Sequence, residues 1–389
     1  MSSHYIWPGQ VFIGAGVARH AGTEARAAGA SCVFLLADGA MAAAGLLDPV
    51  CTGLSAAGLS FALYDTVVPN PDAPAVDAAA DAFRASEADA VVALGGGSAI
   101  DTAKAMRLVA AGPPEGRAAE YALRLGEQAR PHPRHLPPLI AIPTTAGTGA
   151  EVTPWAVLTD PAEKFKFSVG GPRSVPEVAL IDPELMLTLP PFLTAATGMD
   201  ALSHCIEAYV STNQNPVLDP MILFGIELIG RSLPVAVARG ADRAARHDMA
   251  QAALIGGTAI SSKWLGACHA LAHPLSSFAN LQHGLANAIM LPHQMAYSLP
   301  GAIERYARVG AALGVPQEGS LRRRAEAAIE AVAQLTRDVG LPTRLRDAGV
   351  SEELIPQLAR YAYTVDLNWW TNPRSVDEAA MEQIYRAAF

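Results

Sequence analysis

No CxxC pair occurs among the four cysteines of this 389-residue chain, and the wide scatter of Cys32, Cys51, Cys205 and Cys268 excludes a disulfide framework and points to reduced thiols. Charge is scarce: 17% of residues are Asp, Glu, Lys or Arg against 51% hydrophobic, which excludes a disordered tail. Positive charge is scarcer still. A net charge of -9 and a pI near 5.6 exclude nucleic acid or an anionic membrane as the main partner, while leaving room for a local basic pocket. The start, MSSHYIWPGQVFIG, has neither the basic residues nor the apolar core of a secretory signal, no run of about eighteen apolar residues occurs, and no repeat of roughly 20 to 50 residues is visible. A soluble, cytoplasmic protein is expected. At 40.5 kDa it is long enough for two domains with their own cores.

What is present begins with short apolar runs. SCVFLLAD (31–38), LSFALYD (59–65), ADAVVALGGG (88–97), PLIAIPTT (138–145), PWAVLTD (154–160) and VPEVALIDP (175–183) read as strands. Ala-rich helical patterns at 17–29, 73–86 and 98–111 lie between several of them. Strands that are apolar throughout suit a parallel sheet covered on both faces, so residues 1–187 are expected to form an open α/β domain. The Pro-rich piece ARPHPRHLPP (129–138) reads as a surface loop inside it. From 188 the punctuation is that of helices, broken at sites such as Pro220, Pro274, Pro292 and Pro342. Leu321, Ala325, Ile329, Val332, Leu335 and Val339 recur at three- and four-residue spacing and make one apolar face. An all-helical domain over 188–389 follows.

Two turns after strands have the chemistry of a ligand site. ADAVVAL runs into GGGSAIDTAKAM, where glycines let backbone approach a ligand, Ser98 can cap a helix and the first-turn amides favour a phosphate. A tight βα turn with no ligand reads equally well. This is not GxGxxG, so a standard Rossmann assignment is excluded. The second turn supplies Thr144, Thr145, Gly147, Thr148 and Gly149 at the carboxyl end of a strand, where parallel sheets hold ligands. Asp38 ends a strand and could accept from a ribose diol or simply cap a helix; Asn70, in an Asn-Pro turn, is as ambiguous.

Six of the ten histidines fall within about ninety residues, and five of them, His204, His269, His273, His283 and His293, lie in LPPFLTAATGMDALSHCIEAYVS and GACHALAHPLSSFANLQHGLANAIMLPH. Asp200 and His204 are four apart, as are His269 and His273, so on two helices each pair projects from one face. A single helical histidine is more often core or surface than a ligand. Asp200, His204, His269 and His283 together offer one carboxylate oxygen and three imidazole nitrogens, a set suited to Fe²⁺ or Zn²⁺ and too rich in nitrogen for Mg²⁺ or Ca²⁺.

GGGSAIDTAKA, AIPTTAGTGAE, VALIDPELMLTLPPFLTAATGMDALSHCIEAY and HALAHPLSSFANLQHGLANAIMLPH, in this order and spacing, resemble the iron-containing (group III) alcohol dehydrogenases, and the likeness runs to NPRSVDEAAMEQIYRAAF. The resemblance implies the dehydroquinate synthase-like fold of an α/β nucleotide-binding domain and an all-α domain with the site in the cleft between. It implies a metal on Asp200, His204, His269 and His283, either Fe²⁺ or another divalent ion such as Zn²⁺. It places NAD(H) on Gly96, Gly97 and Ser98, with Asp101, Thr144, Thr145 and Thr148 nearby, Asp38 selecting NAD over NADP, and Asn70 and Lys166 at the cofactor. His273 matches a histidine beside nicotinamide and substrate, in a proton relay or an outer structural role. The implied reaction interconverts a primary alcohol and its aldehyde by hydride transfer, in a homodimer or higher homo-oligomer. The same fold also carries glycerol dehydrogenases, dehydroquinate synthase-like lyases and non-catalytic nucleotide binders.

Departures from the family pattern are Ala150, Ser276, Gln282 and Asn368, none of them a ligand position. Trp155, Trp264, Trp369 and Trp370 could line a substrate pocket or lie in the core.

Overall fold

The computed structural model describes residues 4–123, 128–161 and 165–389. Among these, eight strands are formed: β1 (Gln10–Ile13), β2 (Cys32–Ala37), β3 (Ser60–Tyr64), β4 (Ala90–Gly95), β5 (Leu139–Pro143), β6 (Trp155–Asp160), β7 (Phe165–Gly170) and β8 (Val178–Ile181). Helices α1 (Ala21–Ala27), α2 (Gly39–Ala43), α3 (Asp48–Ala56), α4 (Ala73–Ala85) and α5 (Gly97–Ala110) alternate with them. Contacts divide the chain at Leu187 into two compact units, one of Ile6–Thr145 and Gly149–Leu187, the other of Thr188–Phe389 with Ala146–Thr148, His4 and Tyr5.

The first unit is built on a parallel six-stranded sheet in the order β1-β8-β5-β4-β2-β3. Its central strands are buried on both faces because successive side chains feed two cores. Phe34, Leu36, Val91, Ala93, Leu139 and Ala141 meet Val76 and Phe83 of α4 and Ile100 and Met106 of α5. Val33, Leu35, Val92, Leu94, Ile140 and Ile142 meet Ala21 and Ala25 of α1 and Val50 and Leu54 of α3. The register pairs Val91 with Leu139 and Gly95 with Pro143, so the carboxyl ends of β4 and β5 finish side by side. The stretch 154–160 does not join this sheet. It pairs antiparallel with β7 as a two-stranded ribbon, Ala156 opposite Val169, with Ala156, Leu158, Phe167 and Val169 buried in the first of these cores. β1 and β7 had no counterpart in the sequence reading: β1 is four residues long, and QVFI and FKFSVG carry too few apolar residues to stand out.

The second unit contains α6 (Pro191–Val210), α7 (Asp219–Ala238), α8 (Arg243–Lys263), α9 (Ala267–Phe278), α10 (His283–Ser298), α11 (Ile303–Ala312), α12 (Leu321–Asp338), α13 (Ile355–Thr364) and α14 (Glu378–Ala387). Capping follows the sequence: Asp242, Ser320 and Asp377 each accept from the amide three residues on, as Asp38 and Asp72 do in the first unit from amides two to three residues on. Pro274 and Pro292 do not end helices. They lie inside α9 and α10, whose apolar faces are buried along most of their length, and that packing outweighs the hydrogen bond each proline forgoes. α6 is the centre, buried on every side from Thr194 to Val210 and packed on α7, α8 and α10. α7 is long and apolar enough by composition to cross a membrane, a property shared by core helices, and it packs against α6, α8 and α11.

Candidate metal and nucleotide sites

Because α6 is apolar nearly all round, the polar side chains it buries stand out: Asp200 at 2% exposure and His204 at 4%. Their spacing puts them on one face, where α9 brings His269 and α10 opens with His283. The fit is close because Gly284 on α10 lies against α6, where a Cβ would stand 2.2 Å from the Ala196 carbonyl. Gln282, one of the departures from the family pattern, caps α10 by accepting from Leu285 N at 2.7 Å, which fixes the helix start at His283.

Oδ1 of Asp200 lies 3.5 Å from Nε2 of His269, 3.5 Å from Nε2 of His283 and 3.9 Å from Nε2 of His204. Two ligands about 2.1 Å from one ion at a tetrahedral angle are about 3.4 Å apart, so this donor set fits a divalent ion. Asp200, His269 and His283 form the tight group, with ligand atoms all within 4.8 Å of one another. His204 is placed beside them, its ring stacked on His269 with centroids 4.7 Å apart. Burial opposes ionisation of Asp200, but His204, His283 and His269 outweigh it and hold the carboxyl below its usual range. His204 is pulled down to about 4, by burial first, with Asp200 opposing. For His269 burial works downward, and the Glu207 and Asp200 carboxylates overcome it and raise the ring to about 9, so an ion taking Nε2 must displace a proton.

Three side chains of this site escaped the sequence reading. Glu207 bonds Nδ1 of His269, and its position seven residues after Asp200 and three after His204 on α6 was a usable signal. Asn287, four residues after His283, sends Nδ2 to Asp200 Oδ1 at 2.7 Å, with His269 Nε2 at 3.1 Å and His283 Nε2 at 3.3 Å. Asp366 meets Nδ1 of His273 at 2.5 Å across 93 residues of sequence, which no local pattern announces. The His273 ring stacks on His283 at 5.4 Å, so His273 adjoins the metal group. Trp369 stacks on Tyr363 and donates Nε1–H to its carbonyl at 3.1 Å, while Trp264 and Trp370 are 48% and 63% exposed.

In the first unit, parallel pairing collects the carboxyl ends of β2, β4 and β5 at one edge. Gly96, Gly97 and Ser98 open α5 there. Thr144 donates its backbone N–H to Gly95 O at 3.0 Å, and Thr145 lies against Gly96, 3.4 Å from where a Cβ would be. Asn70, with φ 50, donates its N–H to Ser98 Oγ at 3.2 Å and accepts from Lys166 Nζ at 3.3 Å. Asp38 caps α2 through Oδ1, from Ala40 and Met41. Asp101 faces β6, accepting from Val157 N at 3.0 Å with Lys104 Nζ 3.8 Å away. Thr148 belongs to the helical unit, with Ala146 and Gly147.

Comparison with known proteins adds an independent line. The family model described as "Iron-containing alcohol dehydrogenase" matches residues 8–183, and that of the C-terminal part of the Fe-containing alcohol dehydrogenase family matches 194–389. The chain is 39% identical to 1,3-propanediol dehydrogenase of Citrobacter freundii over 99% of its own length and 98% of that protein's. It is 39% identical to NAD-dependent methanol dehydrogenase of Bacillus methanolicus over the full length of both. A crystal structure of 1,3-propanediol oxidoreductase superposes over the full length of both chains with a TM-score of 0.95 at 38% identity. With that likeness spanning both units, the chain belongs to the iron-containing alcohol dehydrogenases and is an NAD-linked oxidoreductase of alcohols and aldehydes.

Proposed function

We propose that Asp200, His204, His269 and His283 hold one divalent ion, Fe²⁺ or Zn²⁺, and that the enzyme interconverts a small primary alcohol and its aldehyde with NAD(H). The convergence of three ring nitrogens on Asp200 Oδ1 carries this reading. Bound there, the ion supplies Lewis acidity to an alcohol or carbonyl oxygen. The residues do the rest. Gly96, Gly97 and Ser98 bind the cofactor pyrophosphate on the first turn of α5, with Thr144, Thr145 and Thr148. Asp101 and Lys166 act near it, Asn70 shapes the turn, and Asp38 adds a carboxylate at the end of β2 that suits an unphosphorylated ribose. His273, oriented by Asp366, takes or returns the proton of the reaction through Nε2. Residues 1–187 thus act as the nucleotide-binding domain and 188–389 as the metal and substrate domain.

Four free thiols, two of them buried, fit a reducing cytoplasm. Phe61 and Leu63, exposed on edge strand β3, fit a self-associating chain, a homodimer in this reading. The matched relatives are named for methanol and for 1,3-propanediol at equal identity, so the proposal stays with small primary alcohols as a class.

The test is to strip the protein of metal, reload it with Fe²⁺, Zn²⁺, Mn²⁺ or Co²⁺, and follow NADH oxidation against a range of aldehydes. Activity is expected only in reloaded samples, and Asp200→Ala or His269→Ala should lose both the metal and turnover. Full turnover in a metal-free variant would sink the assignment.

A further inference from the structure

Glu207 accepts two hydrogen bonds from the first turn of α9: Oε1 from the backbone N–H of Cys268 at 2.7 Å, and Oε2 from Nδ1 of His269. That turn begins after Gly266, which has no side chain to satisfy its leading amides. The carboxylate is buried, at 1% exposure, and its entry depends on glycine, because a Cβ on Gly266 would stand 2.6 Å from Oε1. α6 therefore presents Asp200, His204 and Glu207 from one face, two toward the ion and one behind it.

We propose that Glu207 is a positioning residue of the metal centre: it keeps a proton on Nδ1 of His269, leaving Nε2 as the nitrogen for the ion, and in the same contact it anchors the N-terminus of α9. This rests on the metal reading above. Only an acceptor with two oxygens can do both, since an ionised carboxylate offers no donor. Glutamine has one acceptor oxygen, so its NH₂ group must face one of the two partners. If it faces Cys268, a buried amide loses its acceptor. If it faces His269, the ring must accept at Nδ1 and carry its proton on Nε2, the nitrogen turned to Asp200. Outer partners of ligand histidines of this kind are worth roughly 10- to 100-fold in metal affinity.

The experiment loads full-length wild type, Glu207→Gln, Gly266→Ala and His269→Ala with Co²⁺ and measures affinity by chelator competition, the visible ligand-field band, and NADH binding by fluorescence. Glu207→Gln and Gly266→Ala are expected to hold Co²⁺ about 10- to 100-fold more weakly, with an altered band and wild-type NADH affinity. Gly266→Ala keeps the carboxylate and displaces it, so it carries the test if Glu207→Gln does not fold. Wild-type affinity and band in both, with Co²⁺ lost from His269→Ala, would overturn the positioning role and leave the metal site standing. Co²⁺ held by His269→Ala as tightly as by wild type would overturn the metal reading and this inference with it.

Discussion

Burial shifts the protonation of more than the candidate metal ligands. Glu151 is buried in the first unit, near Lys104, whose Nζ donates to Thr153 Oγ1 at 2.9 Å and to the Trp155 carbonyl at 2.8 Å. Desolvation lifts the Glu151 carboxyl from 4.5 to about 7, its own backbone amide and Lys104 working the other way. The folded state therefore binds more protons than the unfolded one between those values, and stability falls as pH rises through that window. Lys104, lowered to about 8 by burial against the pull of Asp101 and Glu151, changes charge only above it. Glu151→Gln should hold a flatter Tm than wild type from about pH 5 to pH 7 in calorimetry. Parallel slopes would reject the assignment. At His273, removing the orienting partner by Asp366→Ala should lower kcat about 10- to 100-fold with metal content and NADH affinity unchanged; a loss of metal instead would make Asp366 part of the metal frame. Asp366 was not legible in the chain, since only the fold joins it to His273, whereas Glu207 and Asn287 sat at helical spacing from candidate ligands and could have been read.

Elements were most legible where hydrophobicity alone sets them. β2, β4 and β5 are apolar from end to end and are buried on both faces, so their existence and parallel pairing could be read directly. Strand 154–160 looked the same in sequence, but partner choice is tertiary: with β7 beside it, it formed an antiparallel ribbon. Proline misled at α9 and α10 because its local cost of about 3 kcal/mol is smaller than what a long buried face contributes. The contact of α10 with α6 makes a prediction at this scale. Gly284→Ala puts a methyl 2.2 Å from the Ala196 carbonyl, so the helices must separate. A loss of about 1 to 3 kcal/mol in denaturant unfolding is expected, with weaker metal binding because His283 shifts with the helix. Unchanged stability would show that the helices yield without strain.

At the level of the whole molecule, the four residues proposed as ligands come from α6, α9 and α10, all in the helical unit, so an ion held by them would act there as a staple between distant parts of the chain. An ion present at about 1,000 times its Kd adds roughly 4 kcal/mol to the folded state. Chelation should therefore raise hydrogen exchange in α6, α9 and α10 and leave β2, β4 and β5 protected; uniform loosening of both units would contradict this. The division of the chain into an α/β and a helical part was readable from the change of periodicity after Leu189, but its one irregularity was not. Ala146, Gly147 and Thr148 pack with the helices, Gly147 so tightly that a Cβ would stand 2.7 Å from Thr197 Cβ. The helical unit is thus not one uninterrupted stretch of coding sequence. Swapping C-terminal halves between relatives at Leu187 would leave three residues of the recipient embedded in the donor's fold, and hybrids that also exchange 146–148 should be the ones that express as soluble enzyme.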